Sequence, residues 1–154
     1  MGFEQSAREA GVDLDLQTIR AGNFDLVVEV DPGIAYVSGS IALHDGAIAY
    51  AGRLGEGMDI ETGQASARGA AEAILAALHQ QLGSLDRVTR VVRLTGYVSS
   101  TPDFGDQPKV MNGASNLMIE VFGDAGRHAR SAIGVAALPL GASVEVEGIF
   151  QIRP

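Results

Sequence analysis

Residues 126–150 read GRHARSAIGVAALPLGASVEVEGIF. Within and just beyond this stretch, SAIGVAAL (131–138) and SVEVEGIFQI (143–152) are apolar and β-branched runs separated by PLGA, a composition that suits a hairpin between two strands. Ile133, Val135 and Ala137 alternate with Ala132, Ala136 and Leu138, so the first strand is apolar on both sides. Immediately upstream, Pro108 stands at a helix start. Val110, Met111, Ala114, Leu117, Met118, Val121 and Phe122 then make one apolar face that runs to Gly123.

Working further outward, VTRVVRLTGYVS (88–99) reads as a strand, followed by the loop STPDFGD. Asp59 is a good N-cap for a helix in which Ala70, Ile74, Leu78 and Leu82 recur every fourth residue, and Gly83 stops it. Before it, FDLVVEV, IAYVSGSIAL and AIAYAG are joined by DPG and HDG turns, which predicts three antiparallel strands from Phe24. Residues 2–11 predict a short helix ending at Gly11, so residues 1–23 are expected to form an N-terminal helix and connector and residues 24–154 the main domain. The order of elements predicts a single α+β domain, a six-stranded mixed sheet with two helices on one face. Two helices leave the other apolar face uncovered, which predicts self-association.

Composition narrows the function classes. With 154 residues, 46% of them hydrophobic, and 20 glycines, the chain is long enough to bury a core of its own. It has no cysteine, which removes thiolate nucleophiles, disulfides and cysteine metal sites. The three histidines have no tight spacing to carboxylates, so no metal is expected. Eleven basic residues against nineteen acidic ones give a net charge of −8, with Lys109 as the single lysine, and no basic stripe for a phosphate backbone. Nucleic acid is therefore not expected as a partner, and since no apolar run approaches the roughly 18 residues of a membrane span, neither is a membrane. The start lacks the layout of a secretory signal, so a cytoplasmic location is expected.

The segment from Gly126 to Phe150 resembles the closing signature of the RidA/YjgF family: an Arg-Ser pair opening a strand, a Leu-Pro turn, then a strand carrying Glu-x-Glu. YVSGSIAL (36–43) is similar to the family's Ser-Gly-Gln strand and RVTRVVRLTGYVSS (87–100) to its central strand. The stretch 103–132 is closer still to the branch known as endoribonuclease L-PSP or chorismate-mutase-like. The resemblance implies a homotrimer with a cofactor-free site in each cleft between subunits. It also implies hydrolysis of reactive 2-imino and enamine acids to 2-keto acids and ammonia.

Carried over residue by residue, the resemblance makes Arg130 the group that grips a substrate carboxylate, a task suited to a guanidinium fork. It makes Glu145 the acid that places or activates water, with Glu147 on the same side of its strand; an ordinary Arg-Glu pair across strands is the alternative. Ser38 is a candidate ligand contact or a plain strand serine, and Ser131 adjoins Arg130. Ala132 stands where many relatives have Cys, so only its backbone can serve a ligand. His128, where many relatives have Pro, is either a ligand contact and pH-sensitive group or a solvated loop residue. Ser40 in place of Gln is a further departure. The competing reading is a trimeric protein that binds small carboxylates, or regulates through them, without turnover. Ribonuclease activity is weakened by the acidic charge, and chorismate mutase chemistry needs several convergent cations.

Overall fold

Asp59 and Gly83 bracket the longest element of the computed structural model, which describes residues 2–20 and 22–153. After the short helix α1 (Phe3–Glu9) comes α2 (Ile60–Leu82), whose first turn is capped by the Asp59 carboxylate accepting the Thr62 amide at 2.8 Å. Gly83 closes it with φ 78°, a left-handed conformation that costs glycine little. From Ala70 to Leu78 α2 is buried almost all round, because its alanines let both the sheet and the neighbouring helices come close. Those neighbours, beside α2 on the same face of the sheet, are α3 (Gln107–Val110) and α4 (Asn112–Phe122), two pieces where one helix from Pro108 was expected, with the break at Met111.

Where α4 crosses α2, Gly113 sits so close that a Cβ there would overlap the Gln64 carbonyl. Backbone cannot swing aside as a side-chain tip can. Gly113→Ala is therefore expected to destabilise the protein by about 1–3 kcal/mol in urea unfolding. Gly105→Ala, which meets nothing within 4 Å, should shift it by less than about 0.5 kcal/mol.

The main sheet contains β1 (Val27–Val30), β2 (Ile34–Ile41), β7 (Val88–Ser99), β8 (Ala129–Val135) and β9 (Val144–Ile152), in the order β1-β2-β9-β7-β8. Between β2 and α2 lie two small pairs, β3 (Leu43–His44) with β4 (Ala47–Ile48), and β5 (Arg53–Leu54) with β6 (Gly57–Met58). All neighbours in the main sheet are antiparallel except β7 and β8.

Two expectations are corrected here. The sheet has five strands, not six: AIAYAG adds no strand to it, pairing through Ala47–Ile48 with β3 and through a single bridge from Ala51 to Ala142, and Gly52 at φ 135° bends the chain there. The last two strands are not a hairpin. A parallel β7–β8 pair needs a long crossover, which α3 and α4 supply, and β9 then enters on the opposite edge of β7. The connection at Pro139–Gly141 is a single helical turn with Leu140 and Gly141 at positive φ.

The helices cover one face of the sheet, where Ala35, Val37, Val91, Leu94, Val98, Val146 and Phe150 are buried. Ala7, Val12 and Leu14 from the N-terminal segment enter the same core, and the Phe3 ring meets Phe122 edge-on at 5.0 Å. The opposite face is open. It presents Val28, Tyr36 and Ile133, each nearly half exposed, around a polar centre formed by Arg93, Tyr97 and Glu147. No helix among the described residues is long and apolar enough to cross a membrane.

Candidate functional site

Strand β8 alternates its side chains between two environments, and its register against β7 assigns them. Arg130 pairs with Leu94 and Ala132 with Gly96, on the side where Leu94 is buried under the helices. Ser131 pairs with Thr95 and Ile133 with Tyr97, on the open side. Because β8 is the edge strand, the helix-side residues meet the start of α4 at the rim of the sheet. There Arg130 Nη1 donates to Asn112 Oδ1 and Ser115 Oγ, and Nη2 donates to the Pro108 carbonyl, each at 3.0 Å.

These acceptors are all neutral, and no carboxylate among the described residues pairs with Arg130. A guanidinium has more N–H donors than three acceptors use. Burial pulls its pKa below the ordinary arginine value without removing its charge. The result is a half-buried cation, fixed in place and lacking a counter-ion, in a chain of net charge −8. Such a group is ready for an anion from outside.

Beside it, His128 lies 2.6 Å from the Gly126 carbonyl through Nδ1 and 3.0 Å from Ser115 Oγ through Nε2. Burial lowers its pKa, and the Arg130 charge pushes the same way against the Gly126 hydrogen bond. A neutral imidazole with Nδ1–H donating to the carbonyl accounts for both contacts.

Glu145 belongs to the open face, paired across β9 with Tyr97 on one side and Ile41 on the other. Burial raises its pKa above the usual carboxylate value, and Glu147 adds to the rise. Its carboxylate borders a cavity of about 260 Å³ lined by Thr18, Ile19, Phe24, Gly39 and Leu140, among others. Gly39 is what lets the carboxylate in: a Cβ there would overlap Glu145 Oε1. Glu147 accepts a hydrogen bond from the Tyr97 hydroxyl at 3.1 Å instead of lining this cavity. Glu145 thus forms no pair with Arg130 in one chain, since the two side chains leave opposite faces of the sheet.

A family model described as "YjgF/chorismate_mutase-like, putative endoribonuclease" matches residues 4–150. The chain belongs to the YjgF/chorismate mutase-like family. It is similar to Protein TCP17 of Trypanosoma cruzi, with 45% identity over 119 residues that make up 77% of this chain and 74% of that one. Among solved structures it resembles Atu1372 of Agrobacterium tumefaciens, a protein of unknown function, at 38% identity and TM-score 0.87 over 99% of this chain and 94% of that one. A "putative endoribonuclease" of Shewanella oneidensis matches at 29% identity and TM-score 0.93 over 99% and 100% of the two chains.

In this YjgF-like chain the residues singled out from sequence fall into two groups. Arg130, His128 and Ala132 share the helix side of β8, with Ala132 packed against the core. Glu145, Ser38 and Ser131 belong to the open side or its rim, where Ser131 accepts from Arg93 at 2.7 Å and Ser38 donates to the Asp25 carbonyl at 2.7 Å. Sequence reasoning did not single out Asn112, Ser115, Gly39 or Arg93. Asn112 and Ser115 sit at the first turn of α4, one turn apart on the side facing β8, a placement that could have been read once β8 was known to be the neighbour. Ile19 of the connector and Phe24, read as the start of a strand, carried no site motif, yet they wall the Glu145 cavity.

Proposed function

We propose that this YjgF-family chain hydrolyses small 2-imino and enamine acids to 2-keto acids and ammonia, at sites shared between copies in a cytoplasmic homotrimer. The observation that carries the reading is the uncompensated Arg130: three neutral acceptors hold its guanidinium and leave its charge for a small carboxylate. An isolated arginine suits a small anion, whereas the overall charge of −8 disfavours a polyanion such as RNA. Exposed Val28, Tyr36 and Ile133 on the open sheet face support association of copies, the arrangement in which Arg130 of one subunit can approach Glu145 of another.

In this reading the carboxylate of the imino acid binds Arg130. Glu145, its pKa raised by burial, takes a proton from water as the oxygen attacks the C=N carbon. The same carboxyl then returns the proton to nitrogen. Glu145 next takes the hydroxyl proton of the tetrahedral adduct and passes it to the nitrogen as the C–N bond breaks, so that a 2-keto acid and ammonia leave. One water is consumed, and the reaction itself calls for no cofactor.

The test is to generate imines in place with an amino-acid oxidase and trap what remains with semicarbazide. The wild-type protein is expected to lower the trapped fraction for at least one of a small, a branched and an aromatic imine. An unchanged fraction for all three would contradict the reading. A non-catalytic carboxylate receptor has one observation in its favour, the placement of Arg130 and Glu145 on opposite faces of the single chain. Carboxylate binding without imine loss is its outcome.

A further inference from the structure

The surroundings of Arg130 include a titratable group that the proposed reaction does not use. His128 and Arg130 leave the same side of β8, and each is bonded at 3.0 Å to Ser115 Oγ of α4. The Gly126 carbonyl can only accept, so the 2.6 Å contact puts the neutral imidazole's proton on Nδ1 and makes Nε2 an acceptor. Nε2 therefore accepts a hydrogen bond from the Ser115 hydroxyl, and the Ser115 oxygen accepts one from Arg130. In this state Ser115 has no proton to offer a ligand.

Protonation of Nε2 reverses one link. The imidazolium donates from both nitrogens, so Ser115 Oγ accepts from His128 and Arg130 together and its own O–H is released to a third acceptor. A second positive charge then stands beside Arg130.

We propose that His128 is a proton-operated positioning residue for carboxylate capture: charging its imidazole releases the Ser115 hydroxyl as a second donor beside Arg130 and tightens binding of a small carboxylate. The proposal rests on Arg130 being the carboxylate receptor. Burial and the Arg130 charge favour the neutral imidazole, so acidification, or an anion that cancels the Arg130 repulsion, favours the charged state. By linkage, carboxylate binding must take up a proton.

The other charges nearby are occupied. Arg127 and Asp124 of the preceding turn pair at 3.4 Å, Arg90 of β7 donates to the Arg127 carbonyl at 3.5 Å, and among the described residues no carboxylate is bonded to His128.

The probe is 2-oxobutanoate, whose carboxylate stays ionised over the working range, titrated calorimetrically into the full-length protein from about pH 8 to about pH 5.5. The wild-type Kd is expected to fall by about tenfold on acidification, with proton uptake seen as a dependence on buffer ionisation heat. In His128→Gln it should change by less than about twofold, a contrast that also separates His128 from any titration of Glu145. In the wild type, NMR should show the His128 titration midpoint rising when 2-oxobutanoate is added. A wild-type Kd independent of pH, or an equal dependence in His128→Gln, overturns the proposal while leaving Arg130 as receptor. Absence of binding at every pH overturns both. Binding with the expected pH dependence but no imine loss removes only the deaminase chemistry.

Discussion

Arg130→Ala lowers kcat/KM for a small 2-imino acid by about two to three orders of magnitude. Truncating one member of a hydrogen-bonded charge pair costs about 2–5 kcal/mol, and each 1.36 kcal/mol is roughly tenfold in rate. The fold should survive the change, because Arg130 lies at the rim of an edge strand and its partners, Asn112, Ser115 and the Pro108 carbonyl, border solvent and can rehydrate. Thermal unfolding and gel filtration on the same preparation check this. Arg130→Lys should recover less than about tenfold of the loss. One ammonium cannot keep three separate acceptors and also present a fork to a carboxylate.

Gly39→Ala should lower the same activity by about a hundredfold through a different route. The added Cβ would overlap Glu145 Oε1 and come within 2.8 Å of its Cδ, so the carboxylate must leave its place at the cavity. The obstruction is the free end of a flexible side chain, and Gly39 does not have a positive φ, so alanine is not strained there. Stability in urea is therefore expected to change by less than about 1 kcal/mol. A loss of turnover at constant stability assigns the effect to the position of Glu145; an active Gly39→Ala protein would mean that Glu145 is not needed where it stands.

What the sequence made legible, and what it did not, follows from the range of the interactions involved. Asp59, Gly83 and the four-residue recurrence of Ala70, Ile74 and Leu78 act within one turn of their own helix, and α2 ends where they say. Turn residues are equally local. The HDG turn is real, with Asp45 at φ 50° and Gly46 at φ 75°, yet it joins only two-residue strands because nothing local decides whether Ala49–Gly52 continues in the main sheet. PLGA likewise turns the chain without saying which strand its flanks will join.

The site shows the same division. Alternation within β8 already implies that Ser131 leaves the face opposite to Arg130 and Ala132. Whether Glu145 accompanies Arg130 depends on the register of two strands separated by β7, and that register places them apart. The neutral acceptors around Arg130 come from α3 and α4, whose approach to β8 is a consequence of the parallel crossover that the hairpin expectation replaced.

If one catalytic site draws Arg130 and Glu145 from different copies of the chain, mixing two inactive variants restores activity. Arg130→Ala and Glu145→Gln, unfolded together and refolded at equal amounts, should regain about a quarter of wild-type imine hydrolysis, since about one interface in four then joins an intact Arg130 to an intact Glu145. Each variant refolded alone should remain inactive. If the mixed oligomers form, as native mass spectrometry would show, and no activity returns, the shared site is contradicted.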